Sequence, residues 1–330
     1  MLTISQYFLL TILFFILIFI NNKYRFNIGN LIRLIDKPDK KRKLHKFETP
    51  LNGSFPIIII LLIYSEWFNE EYNYFSNIIL ISILFFILGL IDDIFTLSYK
   101  NKFLFSILIL LIFLFFNKNF LISKIFIESF SINKQLIINH STIITILCVL
   151  ILINAFNFTD GINGLSSIIA SLWLLSLAIF DFKINYHLIF LSILILINSI
   201  PIYDGKYFLG DNGTLFLGSL ISFETINLFN TNLDKISYEQ IFLIFMIPGF
   251  DMIRLILLRL KNKKNPFLPD NNHLHHLLIK KYFINKTLLI YSCLIFLPIL
   301  IDYFTSIKTI LNILLFLVVY TLLIIKVKDN

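Results

Sequence analysis

The chain has 330 residues, 58% of them hydrophobic and only 15% charged, with a mean hydropathy of +0.84. A soluble domain carries about a quarter charged residues, so this composition excludes a single water-borne core and makes lipid the solvent. The formal charge of +8 then belongs to loops facing anionic lipid and cytoplasm, and nucleic acid is excluded as a partner. The first apolar run, Ile4 to Ile20, has no basic region before it and no small-residue cleavage site after it. It reads as a retained span. A bilayer core of about 30 Å takes roughly 20 apolar residues per helix, fewer when flanking residues snorkel. Eleven stretches are expected to span: 4–20, 54–68, 76–92, 102–116, 141–156, 162–180, 186–203, 214–230, 240–259, 287–303 and 308–326. The predicted fold is an all-α integral membrane protein, one polytopic domain over 1–330. Segment 117–140 alternates at Ile125, Ile127, Phe130 and Ile132, which predicts a short hairpin. Cys148 and Cys293 sit inside apolar runs, so no disulfide framework or metal pattern follows from them.

Lysine and arginine set the orientation. With the N-terminus outside, segments 21–53, 93–101, 157–161, 204–213, 260–286 and the C-terminal tail face the cytoplasm. With residues near a span's border assigned to the nearer loop, they hold 22 of the 28 basic residues, as the positive-inside rule requires.

Polar residues beside membrane helices are costly and mark function, and here they cluster in segments already placed inside. Asp92 and Asp93 close the third span, followed by Lys100 and Lys102. Adjacent carboxylates at a helix end suit a divalent metal or a proton acceptor, or are simply solvated end charges. In the run Asn154-Ala-Phe-Asn157-Phe-Thr159-Asp160-Gly161-Ile-Asn163-Gly164-Leu165, polar residues recur every third position, as on one helix face. Gly161 and Gly164 permit a break or close approach to a ligand. Four polar side chains exceed what a capping turn requires. Gly210-Asp211-Asn212-Gly213-Thr214 opens the eighth span. Asp211 there is either a cap-region residue or a metal ligand beside an anion-binding helix start. Pro266-Phe-Leu-Pro269-Asp270-Asn-Asn-His273-Leu-His275-His276 places three of six histidines within four residues. Imidazole suits zinc, but no cysteine lies near and H-E-x-x-H is absent. With Arg259, Lys261, Lys263 and Lys264, a phosphate-binding loop is the better reading. Asp36-Lys-Pro38 through Arg42, Lys43 and His45 to Pro50 and Gly53 forms a fifth, basic inside loop, whose charge alone would make it a headgroup anchor.

These five clusters, in this order, resemble the polyprenyl-phosphate N-acetylhexosamine-1-phosphate transferase superfamily over about residues 36–280. The histidine loop is similar to the O-antigen and teichoic-acid branch rather than the muramyl-pentapeptide branch. The resemblance implies transfer of an N-acetylhexosamine-1-phosphate from a UDP-sugar to polyprenyl (undecaprenyl) phosphate, releasing UMP, at the cytoplasmic face of the inner (plasma) membrane. It implies Mg²⁺, with Mn²⁺ as a substitute. Carried over by position, it makes Asp92, Asp93 and Asp160 the catalytic candidates, with Asp92 orienting or deprotonating the lipid phosphate. Asp211 becomes the metal ligand with Asn157 beside it. Asn163 lies near the nucleotide, and Lys102, Arg259, His273, His275 and His276 bind phosphate. His45 matches a histidine of unassigned role. Asn163 stands where relatives often carry Asp, Gly53 where they carry two glycines, and Thr96 where some carry Asn or Asp. A transporter, with polar groups at the bilayer midplane, is the rival from another class, and Glu224 is the main residue in its favour. A catalytically dead partner subunit is disfavoured by the four persisting aspartates. The membrane lipid is a further partner, and a homodimer is left open.

Overall fold

The computed structural model describes residues 3–38, 47–68, 73–127, 134–181, 185–233, 235–265 and 272–328. Among them the chain forms twelve α-helices: α1 Ile4–Leu31, α2 Phe55–Phe68, α3 Asn73–Phe95, α4 Tyr99–Phe116, α5 Ser141–Asn157, α6 Leu165–Phe180, α7 Tyr186–Tyr203, α8 Gly210–Thr231, α9 Tyr238–Lys261, α10 Leu274–Lys281, α11 Ile284–Phe304 and α12 Thr309–Lys328. Each of the eleven apolar stretches is helical, and α10 adds a short helix within the basic loop before α11. Seven helices (α1, α3, α4, α7, α9, α11 and α12) are long and apolar enough to cross a membrane, while α2, α5 and α6 are shorter apolar helices. An all-helical membrane protein is therefore the architecture.

The apolar side chains face both ways. On α4, Phe105, Ile112, Phe115 and Phe116 are exposed while Leu110 and Phe113 are buried, the pattern of a helix with lipid on one side. Helix α8 is the opposite case, buried without a break from Asn212 to Ile226. Its Ser222 and Thr225 return their hydroxyls to carbonyls one turn back, at 2.6 and 2.7 Å. A helix enclosed by protein tolerates such polar content because each group finds a partner locally. Contact with α3 is close at Gly89, where a Cβ would come within 2.5 Å of the Asp211 carbonyl and the Asn212 Cα. On α6, Trp173 packs at 5.3 Å from Phe156 of α5 and 4.8 Å from Phe245 of α9.

Two small antiparallel sheets complete the fold. Strands β1 (Ile35–Asp36) and β2 (Thr49–Pro50) pair Ile35 with Pro50, and β3 (Lys124–Ile127) and β4 (Lys134–Ile137) pair Ile125 with Leu136. The second sheet is the hairpin expected between the fourth and fifth spans; Phe130 and Ile132, at its tip, lie outside the described residues. The segment after β2 is stitched to the approach to α8. Gly53 donates its N–H to Phe208 O (2.9 Å), and its carbonyl accepts from Asn198 Nδ2 (2.8 Å). A Cβ on Gly53 would lie 2.7 Å from that same Phe208 carbonyl, so a glycine is required there. Glu224 lies deep in α8, and its Oε1 is 2.9 Å from His187 Nε2, whose Nδ1 is 2.8 Å from the Tyr64 hydroxyl. It thus ties α8 to α7 and α2.

Candidate active site

Asp92 and Asp93 are neighbours near the end of α3, and successive helical side chains diverge by about 100°. They therefore have different partners. Asp93 turns toward α8: its Oδ1 accepts from the Asp211 N–H (3.0 Å), and its Oδ2 from the Asn212 N–H (2.9 Å) and Asn212 Nδ2 (2.7 Å). The first N–H groups of a helix have no partner within it, and Asp93 supplies one from a separate helix. Asn212 is held in turn by Leu51 O (2.8 Å) and by the Ser54 hydroxyl (2.5 Å). At the other pole, Gly210 enters the helix at φ +69°, a left-handed conformation glycine adopts freely.

Asp92 faces Lys102. The ammonium lies between two carboxylates, 2.7 Å from Asp92 Oδ2 and 2.5 Å from Asp211 Oδ2. The other oxygen of Asp92 accepts from the Leu97 N–H at 2.7 Å, across a turn in which Thr96 takes φ +50°. Asn157 lies close enough to Asp211 to favour its charged form, and its Oδ1 accepts from the Thr214 hydroxyl at 2.6 Å. Asp92, Lys102, Asp211 and Asn157, from four helices, thus form one constellation.

The three-residue polar spacing does not continue as one helix face. Helix α5 ends at Asn157, and tight turns follow, with Thr159 N–H on Phe156 O (2.8 Å) and Gly161 N–H on Thr159 O (2.9 Å). Asp160 and Asn163 therefore sit on the α5–α6 turn, and Asn154 spends its amide on Leu150 O of its own helix (2.7 Å). The Asp160 carboxylate accepts from the Ser166 hydroxyl at 2.7 Å. Asp160 is exposed, but crowding by the surrounding protein and then the negative charges of Asp211 and Asp36 push its pKa up. Asn163 lies beside Gly205, in the loop leading to α8.

The histidines meet this turn from above. A Cβ on Gly161 would lie 2.9 Å from the His276 ring, so the glycine is what lets the turn and the histidines pack together. His273 and His275 stack with ring centres 5.5 Å apart, and His276 lies 4.2 Å from His275. His275 is only 1% exposed, with no hydrogen-bond partner on either ring nitrogen among the described residues. Burial, reinforced by His276 and His273, holds it well below the usual histidine range, which favours the neutral ring. His273 is instead anchored by Asp251 of α9, Nδ1 to Oδ2 2.9 Å. Arg259 is buried in the last turn of α9. His45 and Pro266–Asn271 lie outside the described residues.

Sequence reasoning missed Asp251, Arg254 and Tyr320. An Asp and an Arg three residues apart inside an apolar span were a readable signal. Tyr320, on α12, gave none.

The donor set can be tested for Mg²⁺. That ion takes oxygen ligands, commonly one or two carboxylates with water and substrate phosphate. Asp92 and Asp211 offer oxygens around a point that already holds a cation, the Lys102 ammonium, and Asn157 lies beside Asp211. Among the described residues no group of three or more His, Cys, Asp or Glu is placed to hold a metal.

Fold and site define a helical membrane protein with a carboxylate–lysine centre and a histidine cluster at one end of its bundle, and its central sequence is that of a glycosyl transferase: the profile described as "Glycosyl transferase family 4" matches residues 75–229. The undecaprenyl-phosphate alpha-N-acetylglucosaminyl 1-phosphate transferase of Thermotoga maritima is 34% identical over 256 residues, 78% of this chain and 76% of its own. The proteins of the same name from Escherichia coli (27% over 273 residues, 78% and 72%) and Salmonella typhi (28% over 286 residues, 82% and 75%) are similar too. This chain belongs to glycosyl transferase family 4, among its polyprenyl-phosphate N-acetylhexosamine-1-phosphate transferases.

Proposed function

We propose that the protein transfers an N-acetylhexosamine-1-phosphate from a UDP-sugar to undecaprenyl or a similar polyprenyl phosphate, at the cytoplasmic face of the inner membrane. The observation that carries the reading is the Asp92–Lys102–Asp211 constellation, in a chain whose relatives are named for this transfer. An oxygen of the lipid phosphate attacks the β-phosphorus of the UDP-sugar. The bond from that phosphorus to the bridging oxygen breaks, and UMP leaves with the electron pair. Two anions must meet, so cationic groups have to offset their repulsion. Lys102 supplies one such charge, pinned where the carboxylates converge. Asp92 orients the attacking phosphate, which is already ionised near neutral pH and needs no strong base. Asp93 keeps the start of α8, and so Asp211, in place. Asp160 and Asn163, on the turn beneath the histidines, face the nucleotide. Asp211 and Asn157 would hold Mg²⁺, which when bound polarises phosphoryl oxygens and neutralises charge on the leaving group. Eleven membrane crossings, with the N-terminus outside and the C-terminus in the cytoplasm, put this end of the bundle where UDP-sugars are found.

The test is UMP release by the purified full-length protein in lipid nanodiscs, given UDP-N-acetylglucosamine and undecaprenyl phosphate. Release that needs both substrates, stops in excess EDTA and is largely lost in Asp211→Asn is the expected result. No UMP with any of a panel of UDP-sugars removes the transferase reading, and undiminished turnover in EDTA removes the metal.

A further inference from the structure

The Asp251 carboxylate, 3% exposed on α9, receives more hydrogen bonds than an ordinary ion pair explains. Its Oδ2 accepts from His273 Nδ1 (2.9 Å), and its Oδ1 from Arg254 Nη2 (2.7 Å) and the Tyr320 hydroxyl (2.8 Å). Both oxygens lie 3.1 Å from the N–H of Leu274, the first residue of α10. A carboxylate offers about four acceptor positions, and four donor groups take them. Arg254 strengthens the arrangement by donating Nη2 to Asn272 O (2.6 Å) and Nε to the Tyr320 hydroxyl (2.9 Å). Asp251 and Arg254 together therefore hold the backbone on each side of His273, and Asp251 holds its ring.

We propose that Asp251 is the positioning residue of the histidine cluster, fixing which nitrogen of His273 faces the substrate, and that Tyr320 on the last helix keeps it in that role. The inference rests on the transferase reading above. An ionised carboxylate can only accept, so the Nδ1 position of His273 carries the proton and Nε2 is left for a ligand. Second-partner bonds of this kind set the tautomer and direction of an imidazole. The four participants Asp251, Arg254, His273 and Tyr320 lie after residue 229, where the match to the family profile ends, so α12 belongs to the working site and is not only a lipid-facing helix.

The test uses ¹⁵N-histidine-labelled full-length protein in nanodiscs, with the His273 ring signals identified by their loss in His273→Gln. In the wild type the Nδ1-protonated form of His273 is expected. In Asp251→Ala the ring should shift toward the Nε2-protonated form, and kcat for UMP release should fall on the order of 10²-fold, the effect of a displaced group. Tyr320→Phe keeps the shape of the side chain and removes the hydroxyl's bonds to Asp251 and Arg254, so kcat should fall about tenfold. If Asp251→Ala does not fold, Tyr320→Phe and Asp251→Asn carry the test. An unchanged His273 tautomer in the Asp251 variants, or full turnover in Tyr320→Phe, overturns the proposal. A wild-type protein that releases no UMP defeats the transferase reading alone, and the ring tautomer still decides what Asp251 does.

Discussion

Glu224 shows what a single buried carboxylate is for in this molecule. It is 2% exposed, deep in α8, and bonded to His187, which is bonded to Tyr64. Removing one partner of a buried hydrogen-bonded pair leaves the other unsatisfied and costs about 1–3 kcal/mol. Glu224→Ala should therefore lower the melting temperature steeply, while Glu224→Gln, which keeps a hydrogen-bonding group at the position, should lower it much less. UMP release per folded molecule should be retained by both. An Ala variant as heat-stable as the wild type would show that the chain of three residues holds nothing together. The residue scale also shows where sequence reading stops. The types and order of Asp92, Lys102, Asp211 and the histidines were legible, because polar side chains beside lipid have few other reasons to be there. The division of labour between Asp92 and Asp93 was not, since it depends on which neighbouring helix each one meets. His275 reads in the sequence as a phosphate ligand, and burial favours its neutral form. Any bond it gives a phosphate is then worth about 0.5–1.5 kcal/mol rather than the larger value of a charged donor.

Between elements, the α3–α8 contact sets the geometry of the site, because Asp92 and Asp93 are on one helix and Asp211 is on the other. Gly89 makes the approach possible. A methyl group there would meet the backbone of Asp211 and Asn212 at 2.5 Å, and backbone cannot swing aside as a side chain can. Overpacking of this kind costs about 1–3 kcal/mol, and a shift of about 1 Å at reacting groups costs on the order of 10²-fold in rate. Gly89→Ala should therefore lose most of its activity with only moderate loss of stability. Gly249 of α9 is the control, because a Cβ there meets nothing within 4 Å. Gly249→Ala should be as active as the wild type and more stable by up to about 1 kcal/mol. Equal activity of the two variants would disconnect the contact from the site. The helices themselves were legible as apolar runs of sufficient length, and the β3–β4 hairpin as an alternating one. Helix α5 ends at Asn157, one residue beyond the expected span. What the runs did not disclose was α10, which forms inside a loop that reads as merely basic.

At the scale of the whole molecule, the site and the hairpin lie at opposite ends of α8. Asp211 is in its first turn, and Asn230, near its last, donates to Asn119 O and Leu121 O beside the hairpin, at 2.9 and 3.1 Å. Twenty-two residues of helix at about 1.5 Å each make roughly 33 Å, close to the roughly 30 Å of a bilayer core. The two ends should therefore face opposite sides of the membrane. Charge says which is which. Lys118, Lys124 and Lys134 are among the 6 basic residues assigned to the hairpin side, against 22 assigned to the side of the site, and basic loops stay in the cytoplasm. In full-length protein with Cys148 and Cys293 replaced by serine, a single cysteine at Lys124 should react with an impermeant maleimide applied to intact cells or spheroplasts. A single cysteine at Lys263, exposed in the loop after α9, should react only once the membrane is opened. The reverse pattern would place the carboxylates and histidines on the side away from UDP-sugars, and the proposed reaction would then be impossible whatever the geometry of the site.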